Sequence, residues 1–195
     1  MNTGKKPYIV GRNTVSVGRI LDGDETYESF LDSYSVYYNL KREGTDAPFL
    51  AEAVFDSKSE QYFLIRAAKV AEMRSVEYVY FARESDLDAA RLKVLDEKAW
   101  ERGMARVEPG PNHKNTDVCL IVLADKLTDD ARQLAVTSSH SKNYRLALHG
   151  YSNFRLLVIE LSSGTAYLNR QARILKELVG NIMSKPFSNE REIMK

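Results

Sequence analysis

The chain has 195 residues and a mass of 22.2 kDa, enough for one domain. Hydrophobic residues make up 44% and charged residues 28%, the balance of a globular chain, which excludes a collagen, a mucin-like stalk and a polytopic membrane protein. Lys+Arg at 28 against Asp+Glu at 27 leaves a net charge of +1, so no whole-molecule field draws the chain to nucleic acid or to an acidic membrane.

Met1–Val10 carries Lys5 and Lys6 but lacks the apolar centre of a secretory signal. The longest strongly apolar run, 118–124, is far short of the roughly 20 residues of a membrane helix. Cys119 lies inside that run, where burial raises a thiol pKa and blocks access, so it reads as a small core hydrophobe. These features predict a cytoplasmic protein with no membrane partner.

Residues 1–20 read as a flexible lead-in in which Val15, Val17 and Ile20 form at most a short strand. Asp24 is a candidate N-cap, and Tyr27, Phe30, Leu31, Tyr34 and Tyr38 then recur on one face of a helix expected to end near Gly44. Three strand-like segments follow, at 49–56, 62–70 and 76–83, with connections short enough for an antiparallel meander. Ser85 and Asp88 resemble a capping box before a helix striped by Leu87, Ala90, Val94 and Leu95, which gives out before Pro109-Gly110-Pro111. The run 118–124 is apolar on both faces and predicts a central strand. Thr128 caps a helix to about Ser138, with Asp129 and Asp130 in its first turn. Tyr144, Leu146 and Leu148 alternate with Arg145, Ala147 and His149 as a strand with one drier face, and 155–161 is a second near-continuous apolar strand. Ser162-Ser163-Gly164 turns the chain into a short strand at 165–168, Asn169 caps a last helix, and Pro186 ends it before a tail at 186–195. The predicted order is α-β-β-β-α-β-α-β-β-α, an α/β domain over 20–185 with a mixed sheet and helices on both faces.

The opening order α-β-β-β-α-β over residues 25 to 125 resembles the core of the PD-(D/E)XK restriction-endonuclease-like fold. That resemblance implies an Asp on the second strand and a Glu-x-Lys on the third, holding a divalent metal such as Mg²⁺ for phosphodiester hydrolysis. The motif is broken here: the second segment offers Arg66 and Lys69 but no acid, and in the third the place of the Lys after Glu77 is taken by Val79. A degenerate site would have to use Glu52, Asp56, Glu77 and Lys69. Glu60-Gln61-Tyr62-Phe63-Leu64, Glu77-Tyr78-Val79-Tyr80-Phe81 and His149-Gly150-Tyr151-Ser152-Asn153-Phe154-Arg155-Leu156-Leu157 also resemble an uncharacterised prokaryotic domain family, which implies a shared fold and no activity.

Glycine-rich phosphate loops and the Gly-x-Ser-x-Gly elbow do not occur, and His113, His140 and His149 have no metal-ligand spacing, so no metal site is expected. The segment His149, Tyr151, Asn153 and Arg155 gathers an imidazole, a phenol, an amide and a guanidinium around one glycine turn between two core strands. Arg155 there predicts a small anionic ligand. Glu52, Arg66 and Glu77 form a second charged face that must pair across strands or stay solvated. Tyr34, Tyr37 and Tyr38 suit either core packing or the surface of a homodimer. No helix-turn-helix pattern supports nucleic-acid binding. The sequence reading is a non-catalytic cytosolic binding or regulatory domain that forms a homodimer; the alternative is a divergent metal-dependent nuclease or phosphodiesterase.

Overall fold

The structure, a computed structural model, describes residues 6–57 and 73–186. Its strands are β1 (Ile9–Val10), β2 (Thr14–Ser16), β3 (Asn39–Lys41), β4 (Ala51–Asp56), β5 (Arg74–Leu87), β6 (His113–Leu127), β7 (Ser141–Asn143), β8 (Tyr151–Glu160) and β9 (Thr165–Leu168). The helices among the described residues are α1 (Gly23–Ser35), α2 (Ala89–Met104), α3 (Asp129–Thr137) and α4 (Lys176–Met183), the last preceded by a 3-10 turn at Gln171–Leu175.

The doubly apolar run 118–124 dictates the centre. A strand with no polar face must be covered on both sides, and β6 lies between β5 and β8, parallel to both. The whole sheet runs β1-β2-β9-β8-β6-β5-β4-β3, with β7 pairing β8 beside that path. Alternation sends Val79, Phe81, Cys119, Ile121, Leu157 and Ile159 to one face, where α1 and α4 cover them with Phe30, Leu31, Val179 and Met183. Tyr80, Ala82, Leu120, Val122, Leu156 and Val158 point to the other, under Leu92, Leu95 and Ala99 of α2 and Ala131 and Ala135 of α3. The fold is thus the expected mixed α/β sheet with helices on both faces.

Several element assignments change. Asp22, not Asp24, caps α1 by accepting the Glu25 N–H at 2.8 Å, which leaves Asp24 and Glu25 in the first turn where the helix dipole favours them. α1 stops at Ser35 rather than near Gly44, because 39–41 pairs with β4 in the register Asn39↔Val54, Leu40↔Ala53 and Lys41↔Glu52. Among the described residues the antiparallel meander is therefore β3-β4-β5, with β4 paired directly to β5. The expected strand at 62–70 lies outside the described residues. β5 extends through Ser85 to Leu87, and the cap of α2 passes to Asp88, whose carboxylate accepts the Arg91 N–H at 2.7 Å. Tyr144, Leu146 and Leu148 do not form a strand: they lie in the turn between β7 and β8, and residues 151–154, read as part of a turn, already belong to β8. At the N-terminus, Val15 is fully buried in β2, which pairs with β9. Thr128 caps α3 as predicted, accepting the Ala131 N–H; Asn169 accepts the Ala172 N–H of the 3-10 turn that leads into α4, and α4 itself starts without a side-chain cap.

Candidate functional site

Residues two apart on a strand share a face, and the parallel register aligns Glu77 of β5 with Asp117 of β6 and Asn153 of β8. One row further along stand Val79, Cys119 and Arg155. Arg155 leans back one row and bridges both acids, donating from Nη1 to Glu77 Oε1 at 2.7 Å and from Nη2 to Asp117 Oδ2 at 2.8 Å. Further hydrogen bonds reach the two carboxylates from around it. Tyr38 Oη donates to Glu77 Oε2 at 2.8 Å, Asn115 Nδ2 to Asp117 Oδ2 at 2.8 Å, and Asn153 Nδ2 reaches Asp117 Oδ1 at 3.4 Å. Ser75 Oγ donates to Asn115 Oδ1 at 2.9 Å.

This network sits on the face covered by α1 and α4, toward the N-terminal ends of the parallel strands. Side-chain exposure is 17% for Arg155, 12% for Glu77 and 10% for Asp117, so the charges are largely desolvated but still touch solvent. Burial works against the charge on Arg155, yet the adjacent Glu77 and Asp117 outweigh it and hold the guanidinium protonated beyond its ordinary range. Burial, reinforced by the Glu77 charge, pushes the Tyr38 phenol up, and the same two causes push up the Cys119 thiol. Cys119 is thus the inert core residue that its sequence neighbours predict.

The structure brings together some of the sequence-predicted site residues and separates others. Tyr151, Asn153 and Arg155 share one face of β8, and Glu77, from the alternative set, joins Arg155 directly. His149 stands apart in the turn before β8, where its carbonyl lies 2.9 Å from His113 Nδ1. Glu52 and Asp56 project from the opposite face of the sheet to Glu77: Glu52 pairs with Arg106, and Asp56 with Arg74 at 2.8 Å. Arg66 and Lys69 lie outside the described residues. Among the described residues, no three His, Cys, Asp or Glu side chains gather as metal ligands.

A second polar cluster escapes sequence reasoning. Asp96 is buried on α2 and meets both Ser138 Oγ at the end of α3 and His140 Nε2 just before β7. The His140 ring stacks on Trp100 with centroids 5.4 Å apart and meets the edge of Phe154. The only hint in the sequence is an acid set beside Leu92, Leu95 and Ala99 on an apolar helix face; its partners are 42 and 44 residues away. The cluster ties α2 to the α3–β7 connection.

A family model described as a domain of unknown function (DUF8052) matches residues 22–180. The chain belongs to this family. The match runs from the N-cap of α1 into α4, and so takes in all three strands that carry the Glu77–Asp117–Arg155 network while leaving β1 and β2 outside. No curated protein and no solved structure matches the chain.

Proposed function

We propose that this domain is a non-catalytic cytoplasmic binding module whose ligand-facing surface is the Glu77–Asp117–Arg155 network with Asn153 and Tyr151 beside it. One observation carries the reading: two carboxylates on adjacent strands share a single guanidinium in a half-open, largely desolvated place. The trio carries one negative charge in excess, and low local dielectric amplifies it. Both terminal nitrogens of Arg155 already face carboxylates, so an anion arriving there would meet like charge. The geometry therefore favours a small ligand with an ammonium group or several N–H donors over the anion that Arg155 alone would predict. Spare carboxylate lone pairs supply its acceptors.

Thermal-shift measurements with putrescine and with inorganic phosphate test this. Putrescine raises the Tm of the wild type, the increment disappears in Asp117→Asn, and phosphate leaves Tm unchanged. Stabilisation by phosphate that Arg155→Lys removes would restore the anionic ligand and sink the cationic one.

The homodimer belongs to the same proposal. Tyr37, 70% exposed, and Val36 stand beside β3, the edge strand on that side among the described residues, whereas Tyr34 is core. An apolar patch on such an edge supports isologous pairing of two copies. Light scattering should give twice the chain mass, falling to one in Tyr37→Asp. The nuclease alternative lacks comparable support, because Glu52 and Asp56 lie across the sheet from Glu77, each bound to its own arginine.

A further inference from the structure

The turn between β7 and β8 takes no part in either polar cluster, yet its backbone is the most constrained in the described chain. Arg145, Leu146 and Ala147 are successive non-glycine residues with φ of 46°, 54° and 68°. L-residues avoid this left-handed region because Cβ crowds the following carbonyl. The turn is nevertheless closed by main-chain bonds: Leu148 N–H to the Arg145 carbonyl at 3.0 Å and His149 N–H to that of Tyr144 at 3.1 Å. At its foot Gly150 has a φ of 82°, and a Cβ there would lie 2.5 Å from both Nδ1 and the main-chain oxygen of His113. The hairpin base is thus fixed against β6.

What this conformation achieves is exposure. Leu146 is 95% exposed and Leu148 77%, with Tyr151 partly exposed where β8 begins. Holding two leucines in water does nothing for folding, and exposed apolar groups of this kind mark contact surfaces. The charge flanking them in sequence has one sign. Lys142 and Arg145 flank the leucines, Lys114 is exposed on β6, and no Asp or Glu occurs from 131 to 159. The nearest strand acids, Glu77 and Asp117, are committed to Arg155. The result is an exposed aliphatic tip with a cationic collar, which fits a deformable apolar medium with an anionic surface.

We propose that this hairpin is a peripheral membrane contact: Leu146 and Leu148 enter the interfacial layer of an anionic bilayer while Lys142, Arg145 and Lys114 lie against headgroup phosphates. The chain's net charge of +1 supplies no long-range attraction, so binding is local, reversible and weakened by salt. Co-sedimentation tests it, using vesicles of phosphatidylcholine alone and of phosphatidylcholine mixed with phosphatidylglycerol. The wild type pellets with the anionic vesicles, and at least about tenfold less with the neutral ones, because the three basic residues there lose their attraction to the surface. Replacing both leucines (Leu146→Asp, Leu148→Asp) costs at least about tenfold in partitioning, as loss of interfacial apolar burial requires. Circular dichroism of that variant should match the wild type, since both side chains are solvent-exposed. Wild-type protein left in the supernatant with anionic vesicles overturns the proposal, as does equal pelleting of the double variant. Sedimentation velocity without lipid supplies a further check: if the double variant turns a wild-type dimer into a monomer, the leucines face a second copy and the membrane reading fails.

Discussion

Arg155 shows the terms on which a charge survives inside a sheet. Its stem crosses an apolar row beside Cys119, and its head is returned to two acids and held there. Removing one partner of such a group leaves the others buried and uncompensated. Arg155→Ala should therefore lose about 3–5 kcal/mol of unfolding free energy in urea, against about 1 kcal/mol for Tyr38→Phe, which deletes one hydrogen bond to Glu77. Glu160 gives a pH dependence of definite sign. Burial raises its carboxyl, but hydrogen bonds from Arg132 and Ser163 and from the Leu127 amide outweigh that and hold it below the usual carboxylate value of 4.5. A folded-state value below the unfolded one adds stability above about pH 4.5, lost as pH falls through the folded value. Glu160→Gln should then be less stable than the wild type at pH 7, with the gap closing under acid in urea titrations. Of these groups, Arg155 and Glu77 were legible in the sequence as charges needing an explanation. That they answer each other was not, because 78 residues separate them.

At the scale of elements, the helix α2 reaches β6 through Gly103, which in open solvent would only weaken a helix. An added Cβ would stand 2.4 Å from Val118 Cγ2. Gly103→Ala should therefore destabilise by about 1–3 kcal/mol through overpacking, despite alanine's helix preference of about 1 kcal/mol. Combining it with Val118→Ala should recover part of that loss in the same urea experiment. Elements with their own signals were readable in advance: Thr128 and Asn169 announce helix starts, and alternation announces β4. Those decided by pairing were not. Residues 39–41 continue a helical stripe in sequence but are claimed by β4. Tyr144, Leu146 and Leu148 alternate like a strand, but the left-handed backbone at 145–147 turns them outward.

For the whole molecule, stability should be graded outward from the centre of the sheet. β5, β6 and β8 are joined by long ladders and covered on both faces, while β1 and β3 are short edge strands among the described residues. Native-state hydrogen exchange should find the slowest amides in β6 at 118–124 and the fastest strand amides in β1 and β3; equal protection at the edges would contradict this gradient. Toward the N-terminal ends of β5, β6 and β8 the residues on the first face change from Val79 and Cys119 to Glu77, Asp117 and Asn153, and the charge gathers there.

The sequence alone determined the class of fold, the central strand, the cap of α3 and the turn that Asn169 starts before the last helix, because each follows from local periodicity or from a side chain reaching an amide three residues away. It also showed Cys119 as core, since its immediate neighbours are apolar. Only the tertiary structure decided that Glu77 and Arg155 meet, that Glu52 and Asp56 lie on the other face, and that Asp96 joins His140. Those pairings depend on strand register and helix placement, which arise from burying two apolar faces at once and leave no trace in any short stretch of chain.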